Sequence, residues 1–193
     1  MLTDLPNILT MSRIGAIPVL VLLVAIGGPA ADFLAALVFT AAGITDYLDG
    51  KLARERLQLS DFGRMLDPIA DKLLVGATLM ALVGFARLPE GGIYPAIVIM
   101  LREILVSGLR EFLAEVRVGL PVTKLAKWKT GLQMAALGLL LLGRDGAHVI
   151  ALGWLPMAWL GGTLLWAAAA LTLITGWDYW LAGLRHVTAP KVT

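Results

Sequence analysis

The chain reads DYLDGKLAR at residues 46–54 and GRMLDPIAD at residues 63–71. On a helix, residues three, four and seven positions apart share a face. The first stretch therefore aligns two aspartates with a glycine and an alanine, and the second aligns a glycine with two aspartates. The aligned residues are Asp46, Asp49, Gly50, Ala53, Gly63, Asp67 and Asp71. A short turn over residues 55–60 predicts two antiparallel helices, so that the four carboxylates can converge on one point.

The composition around these stretches is that of a membrane protein. Of the 193 residues, 59% are hydrophobic and 16% are charged, whereas a soluble domain is about 45–50% apolar and about 25% charged. Apolar runs close to the roughly 20 residues of a spanning helix recur along the chain. We predict an all-α integral membrane protein with six transmembrane helices and one domain over residues 1–193. The predicted spans are residues 8–27, 31–53, 62–85, 93–115, 129–147 and 151–180.

The positive charges predict the orientation of these spans. Of the 16 Lys and Arg residues, all except Arg87 and Arg144 fall on one side when the spans alternate in direction. Because cytoplasmic loops carry the excess of Lys and Arg, we expect both termini and the aspartate cluster to face the cytoplasm. Residues 2–9 have leucine and isoleucine at helical spacing, which predicts a short interfacial helix before the first span.

Four carboxylates at a membrane boundary need a counter-charge. Repulsion and desolvation would otherwise raise the pKa values of some of them. Mg²⁺ and Mn²⁺ prefer oxygen ligands, and Mg²⁺ often joins carboxylates to substrate phosphates. Two such ions about 3.5–4 Å apart can hold both the attacking and the leaving oxygen in phosphoryl chemistry. The glycine and alanine positions leave room for a ligand, and Arg54 offers a fork for phosphate.

The spacing of these residues resembles a known signature. The pattern Asp-x2-Asp-Gly-x2-Ala-Arg-x8-Gly-x3-Asp-x3-Asp is similar to that of the CDP-alcohol phosphotransferase family, with every position filled. The resemblance implies six spans, a polar cavity open to the cytoplasm, and transfer of a phosphatidyl group from CDP-diacylglycerol to an alcohol. It implies two Mg²⁺ or Mn²⁺ ions held by Asp46, Asp49, Asp67 and Asp71. Asp71 would also act as the general base. The residues implied to border the CDP group are Gly50, Ala53, Arg54 and Gly63.

Three further segments, residues 5–13, 102–111 and 125–133, resemble the branch of this family that uses glycerol 3-phosphate as acceptor. An acceptor that carries a phosphate needs cations near the aspartates. Arg102 and Arg110 are eight residues apart on one face of the fourth span. Lys127 shares a face with Thr130 at the start of the fifth span, with Gln133 close by. We therefore predict that Arg102, Arg110 and Lys127 bind the acceptor phosphate.

Simpler roles compete for these cations. Lys124, Lys127 and Lys129 could equally contact lipid headgroups at the membrane surface. Pairing with Glu103 is the main competing role for Arg102.

The same sequence features are compatible with other functions. The nearest are sister enzymes that accept inositol phosphate, serine or phosphatidylglycerol. A cation transporter is the alternative from another class, because intramembrane aspartates also bind transported ions. An isoprenyl-diphosphate enzyme is a third, although the glycine and arginine positions argue against it. We expect a bacterial-type inner membrane as the location, and a homodimer is one option for the oligomeric state.

Overall fold

The computed structural model describes residues 5–56, 61–115 and 124–188, and this part of the chain contains helices and no strand. The helices are α1 (Leu5–Ile26), α2 (Pro29–Arg56), α3 (Asp61–Gly84), α4 (Ile93–Glu115), α5 (Lys124–Val149) and α6 (Met157–Thr188). The prediction of an all-α fold is confirmed, and each predicted span overlaps one of these helices.

The helices form one bundle in which α5 lies centrally. α5 packs against α6 on one side and α2 on the other, while α1 packs against both α2 and α3 and α4 packs mainly against α6. Every helix contributes fully buried apolar side chains to the core. One such side chain from each helix is Leu20, Phe39, Leu82, Ile99, Leu137 and Leu165.

At the end of the bundle opposite the aspartates, an ion pair and a hydrogen bond connect Arg87 to α2 and α1. The Arg87 guanidinium, which follows α3, is 2.5 Å from the Asp32 carboxylate in the first turn of α2. The same guanidinium donates a hydrogen bond of 3.0 Å to the carbonyl of Val24 in the last turns of α1. Gly27 has a φ of +68°, and a Cβ there would lie 3.0 Å from the Arg87 guanidinium. A glycine at this turn thus allows both the left-handed backbone and the close approach of the arginine.

The helix boundaries differ from the predicted spans by up to eight residues, the largest difference being that α6 ends at Thr188 instead of 180. Residues 5–9 form the first turns of α1 rather than a separate helix, and residues 2–4 of the predicted interfacial helix lie outside the described residues. α5 begins five residues before its predicted span, because its polar first turns extend the helix beyond the apolar run. α6 begins at Met157 instead of 151, because the preceding residues turn through Ala151, which has a φ of +58°.

Among the described residues, three helices are long and apolar enough to cross a membrane on length and composition alone. These segments are Asn7–Ile26, Pro29–Asp46 and Met157–Leu181. α3, α4 and α5 each carry several charged residues, so composition does not mark them in the same way. Large apolar side chains are exposed along the bundle, including Leu22 and Met80. Such surfaces suit a hydrocarbon environment, and the structure has the apolar helices of a membrane protein.

Candidate active site

The C-terminal half of α2 carries Asp46, which is paired with a residue of α1. The Arg13 guanidinium lies 2.7 Å from the Asp46 carboxylate, and the Arg13 side chain is only 1% exposed. A buried arginine with no acid nearby would carry a large desolvation cost. Asp46 therefore offsets the charge of Arg13, and Arg13 in turn fixes where this carboxylate lies.

Asp67 on α3 is also held by α1. The Thr10 hydroxyl donates a hydrogen bond of 2.5 Å to Oδ1 of Asp67. Asn7, Thr10 and Arg13 follow one another at three-residue intervals, and all three are fully or almost fully buried. α1 thus turns a polar stripe towards the aspartates while its remaining surface is largely apolar.

No functional role was predicted for this stripe, because residues 5–13 contributed only to the resemblance to the family branch. The available signal was three polar residues at helical spacing inside an apolar helix. Such residues are costly in a membrane unless they have partners. The packing of the helices also differs from the prediction. α2 and α3 were expected to be direct neighbours, whereas in the described residues α1 packs against both of them.

Three of the four predicted metal ligands, Asp46, Asp67 and Asp71, are described. Both Asp67 and Asp71 act on Asp46 by electrostatic repulsion. The Asp49 side chain lies outside the described residues, as do those of Ala53 and Arg54, although the backbone of α2 continues through them. Among the described residues, no three acidic or histidine side chains are arranged closely enough to hold a metal ion.

The chemistry of the donor set nevertheless fits a hard divalent cation. Asp46, Asp67 and Asp71 supply carboxylate oxygens, which Mg²⁺ and Mn²⁺ prefer. Gly63, another signature residue, is buried in the first turn of α3. Gly50 lies on the continuing α2 backbone, with its surroundings outside the described residues.

Several cations lie within electrostatic range of one another, and two of them also lie within range of Asp71. Lys72 is within electrostatic range of Asp71, Arg102, Arg110 and Glu111. Lys129 is within range of Arg102, Asp71 and Lys72. The four cations of this group, which we call the cation cluster, are Lys72, Arg102, Arg110 and Lys129. They come from α3, α4 and α5, so only the folded bundle brings them together.

Buried contacts hold two members of the cation cluster in place. Lys129 forms an ion pair with Glu103, and both side chains are largely buried. Arg102 lies 3.7 Å from the same Glu103 carboxylate and donates a hydrogen bond of 3.1 Å to the Thr175 hydroxyl on α6.

α6 also shapes the surroundings of Arg102. The Arg102 guanidinium lies over the Tyr179 ring, 5.6 Å from its centre. A Cβ at Gly176 would lie 3.1 Å from the Arg102 side chain, so a glycine makes room for it. Arg102 therefore pairs with Glu103, which was the competing role named for it. It also lies within electrostatic range of Arg110, as their spacing on α4 predicts.

The lysine that α5 turns towards the interior of the bundle is Lys129, whereas Lys127 is the one predicted to bind the acceptor phosphate. Lys129 is 3% exposed and Gln133 is 2% exposed, whereas Lys127 and Thr130 face outward. Lys127 and Thr130 do share a face of α5, but this face lies on the surface of the bundle. Ala136, Leu137 and Leu140 set the buried face of α5, and Gln133 and Lys129 lie on that face one and two turns earlier, respectively. Because Lys129 is buried against Glu103, it does not serve as a contact for lipid headgroups.

A family model described as CDP-alcohol phosphatidyltransferase matches residues 3–174. The chain belongs to this family. The match includes the signature aspartates, the α1 stripe and the whole cation cluster.

Curated relatives within the CDP-alcohol phosphatidyltransferases are similar over almost their full length. A protein of Rickettsia bellii (strain RML369-C) is 50% identical over 95% of this chain and 97% of its own length. A protein of Rickettsia typhi is 49% identical over 93% of this chain and 96% of its own length. One of Cereibacter sphaeroides is 41% identical over 97% of this chain and 99% of its own length. All three are named CDP-diacylglycerol–glycerol-3-phosphate 3-phosphatidyltransferase.

Proposed function

We propose that this protein transfers the phosphatidyl group of CDP-diacylglycerol to glycerol 3-phosphate, forming phosphatidylglycerophosphate and releasing CMP. The observation that carries the proposal is the cation cluster beside Asp71. An acceptor with its own phosphate needs such charges within reach of the reacting hydroxyl, whereas serine and other acceptors without phosphate do not. The names of the full-length relatives support the same substrates.

The aspartates would hold the divalent ions on which the family generally depends. We assign Asp46, Asp49, Asp67 and Asp71 as ligands of two Mg²⁺ or Mn²⁺ ions. The carboxylate donor set and the proximity of the three described aspartates support this assignment. When bound, the ions would neutralise the pyrophosphate of the CDP-lipid and stabilise the leaving oxygen.

The residues of the chain would act on both substrates. Asp71 accepts the proton of the acceptor hydroxyl. The resulting alkoxide oxygen forms a bond to the phosphorus that bears the diacylglycerol, and the bond from that phosphorus to the oxygen of CMP breaks. Gly50, Ala53 and Gly63 let the CDP group approach the helices, and Arg54 binds phosphate oxygens. The products are the phosphatidyl ester of the acceptor and CMP.

The cation cluster would bind the phosphate of glycerol 3-phosphate. Arg102 and Arg110 keep the roles predicted from the sequence, with support from their proximity to each other and to Lys72. Lys129 takes the place predicted for Lys127, because Lys129 points into the bundle near Asp71.

The proposed topology follows from where these groups lie. In a chain whose six helices all cross the membrane, the aspartates and the cation cluster occupy one end, and the Arg87–Asp32 pair occupies the other. The positive-inside rule then places the active site and both termini in the cytoplasm. One domain serves the whole reaction, because residues of α1 to α6 all contact the site or its supports.

Acceptor specificity tests the proposal directly. Purified protein in detergent or vesicles would receive CDP-diacylglycerol, Mg²⁺ or Mn²⁺, and separately glycerol 3-phosphate, glycerol, serine or inositol phosphate. We expect CMP release with glycerol 3-phosphate and very little with glycerol. Efficient use of serine or inositol phosphate would overturn the acceptor. Metal flux into vesicles without any turnover of the CDP-lipid would instead favour a cation transporter.

A further inference from the structure

Two polar side chains of α6 lie on one face of the helix and point into the bundle. Thr175 and Tyr179 are four residues apart, a spacing that places them on the same side of a helix. Thr175 is 1% exposed and Tyr179 is 7% exposed. Because a buried hydroxyl is costly without a hydrogen-bond partner, we expect these side chains to meet polar groups of the neighbouring helices.

Thr175 meets Arg102 of α4. The Thr175 hydroxyl donates a hydrogen bond of 2.8 Å to the carbonyl of Leu171 in its own helix. The same oxygen accepts a hydrogen bond of 3.1 Å from Nη2 of Arg102. Since a hydroxyl has a single proton and two lone pairs, donation within α6 leaves the oxygen free to accept from the guanidinium. The contact therefore ties one end of the Arg102 guanidinium to α6.

Other contacts restrict the same guanidinium. It lies 5.6 Å from the centre of the Tyr179 ring, and its Nη1 lies 3.7 Å from the Glu103 carboxylate. A Cβ at Gly176 would lie 3.1 Å from Cγ of Arg102, so a glycine at this position makes room for the arginine stem. Arg102 thus lies in a slot that α6 and Glu103 form around it.

The slot leaves Arg102 with capacity for an anion. Nε of Arg102 is buried and has no hydrogen-bond acceptor among the described residues. Arg102 and Lys129 both pair with the carboxylate of Glu103, so these three residues keep one positive charge in excess. A buried donor without an acceptor costs free energy. A bound phosphate would supply both the acceptor oxygens and the missing negative charge.

We propose that Thr175 is a positioning residue whose hydroxyl holds the Arg102 guanidinium in the orientation that binds the acceptor phosphate. α6 thereby contributes to the preference for an acceptor that carries a phosphate. The inference rests on the proposed function, since it concerns the same acceptor. Thr175, Gly176 and Tyr179 follow residue 174, where the match to the family model ends. The match therefore does not extend to this part of the slot.

Thr175→Val tests the proposal, because it removes the hydroxyl and keeps the branched shape of the side chain. The KM for glycerol 3-phosphate should rise about three- to tenfold, which corresponds to the net value of about one hydrogen bond. The kcat and the KM for CDP-diacylglycerol should stay those of the parent. Thr175→Ser keeps the hydroxyl and should restore the KM for glycerol 3-phosphate. Slow turnover of glycerol, which has no phosphate, should be insensitive to Thr175→Val.

A double variant distinguishes action through Arg102 from a general effect on packing. Arg102→Met should itself raise the KM for glycerol 3-phosphate. Adding Thr175→Val to Arg102→Met should raise this KM no further, because the group that Thr175 positions is already gone. An equal rise in both backgrounds would overturn the proposal.

Thr163→Val is the matched control on α6. Thr163 is exposed, and its hydroxyl donates a hydrogen bond of 2.9 Å to the carbonyl of Leu160 in the same helix. Its substitution should leave the KM for glycerol 3-phosphate unchanged. If Thr175→Val fails to fold, Gly176→Ala carries the test, because its Cβ would displace the Arg102 stem and should raise the same KM selectively.

Two results would contradict the role of Thr175. One is an unchanged KM for glycerol 3-phosphate in the folded variants, and the other is an equal loss of activity with glycerol and glycerol 3-phosphate. Turnover of glycerol 3-phosphate by the parent enzyme tests the proposed function separately, so the two failures are distinguishable.

Discussion

The Arg13 guanidinium of α1 lies 2.7 Å from the Asp46 carboxylate of α2, and Arg13 is almost completely buried. One turn earlier on α1, Thr10 donates a hydrogen bond to Asp67 of α3. The first helix therefore contacts two of the four signature aspartates. It supports the site from within the bundle and does more than anchor the chain in the membrane.

Thr10→Val should weaken the metal site while preserving the shape of the side chain. Loss of a residue that orients a metal ligand typically costs about 10- to 100-fold in metal affinity. We expect a rise of that size in the Mn²⁺ concentration for half-maximal activity and in the dissociation constant measured by electron paramagnetic resonance of free Mn²⁺. Thr10→Ser keeps the donor and should bind Mn²⁺ nearly as well as the parent. Identical Mn²⁺ binding by the valine and serine variants would show that the hydroxyl has no orienting role.

Chelation should abolish turnover. Because Asp67 and Asp71 both repel the charge of Asp46, the site needs a cation both to bind the CDP-lipid and to offset this negative charge. Activity should disappear in excess EDTA and return when Mg²⁺ or Mn²⁺ exceeds the chelator. Full turnover in EDTA would exclude the proposed metal mechanism.

Asp71→Asn and Asp49→Asn should separate proton transfer from donor binding. Both variants should lose turnover, but Asp71→Asn should keep more affinity for CDP-diacylglycerol, because a general base acts on the acceptor. Equilibrium binding of labelled CDP-diacylglycerol in the presence of Mg²⁺ measures the difference. The separation should be partial, since Asp71 is also assigned as a ligand. Equally poor binding by both variants would remove the support for Asp71 as the base.

Arg110 and Lys127 form a matched pair of exposed cations that should behave differently. Arg110 lies within electrostatic range of Lys72 and Arg102, while Lys127 forms no ion pair with a described residue. Arg110→Met should raise the KM for glycerol 3-phosphate about 10- to 150-fold, as expected for loss of one charge-assisted contact of about 1.5–3 kcal/mol. Lys127→Met should change it little, and the KM for the CDP-lipid should stay constant in both variants.

Two controls accompany this pair. Arg110→Lys should rescue only in part, because an ammonium group cannot reproduce a bidentate fork. Slow turnover of glycerol should be nearly insensitive to Arg110→Met. If glycerol and glycerol 3-phosphate lost activity equally, Arg110 would serve folding or lipid contact instead of the acceptor phosphate.

Arg87→Met should destabilise the bundle without changing substrate specificity. The substitution leaves Asp32 buried without its cation and removes the hydrogen bond to Val24. Breaking a buried ion pair by removal of one partner costs about 3–5 kcal/mol. Thermal unfolding in detergent should show a lower midpoint, with unchanged KM values for the remaining folded enzyme. Adding Asp32→Asn should recover part of the loss, and a purely additive double variant would mean that the pair contributes no coupling.

The sequence alone determined the helices, the family and the aspartate stripes. Apolar runs bounded by polar residues are a local property, so each predicted span overlaps one helix, although the boundaries differ. The signature is equally local, because residues at spacings of three and four share a face in any α-helix. For this reason Asp46, Asp67 and Asp71 could be named as a group before any packing was known.

Only the tertiary structure decided which partners these residues meet. Spacing cannot say that α1 lies against both α2 and α3, so the roles of Thr10 and Arg13 were not predicted. The rotation of α5 likewise depends on how its apolar face packs against α2 and α6. That rotation buries Lys129 beside Glu103 and leaves Lys127 outside. Contacts between distant segments arise from the packing of whole helix faces, and a local pattern carries no information about that packing.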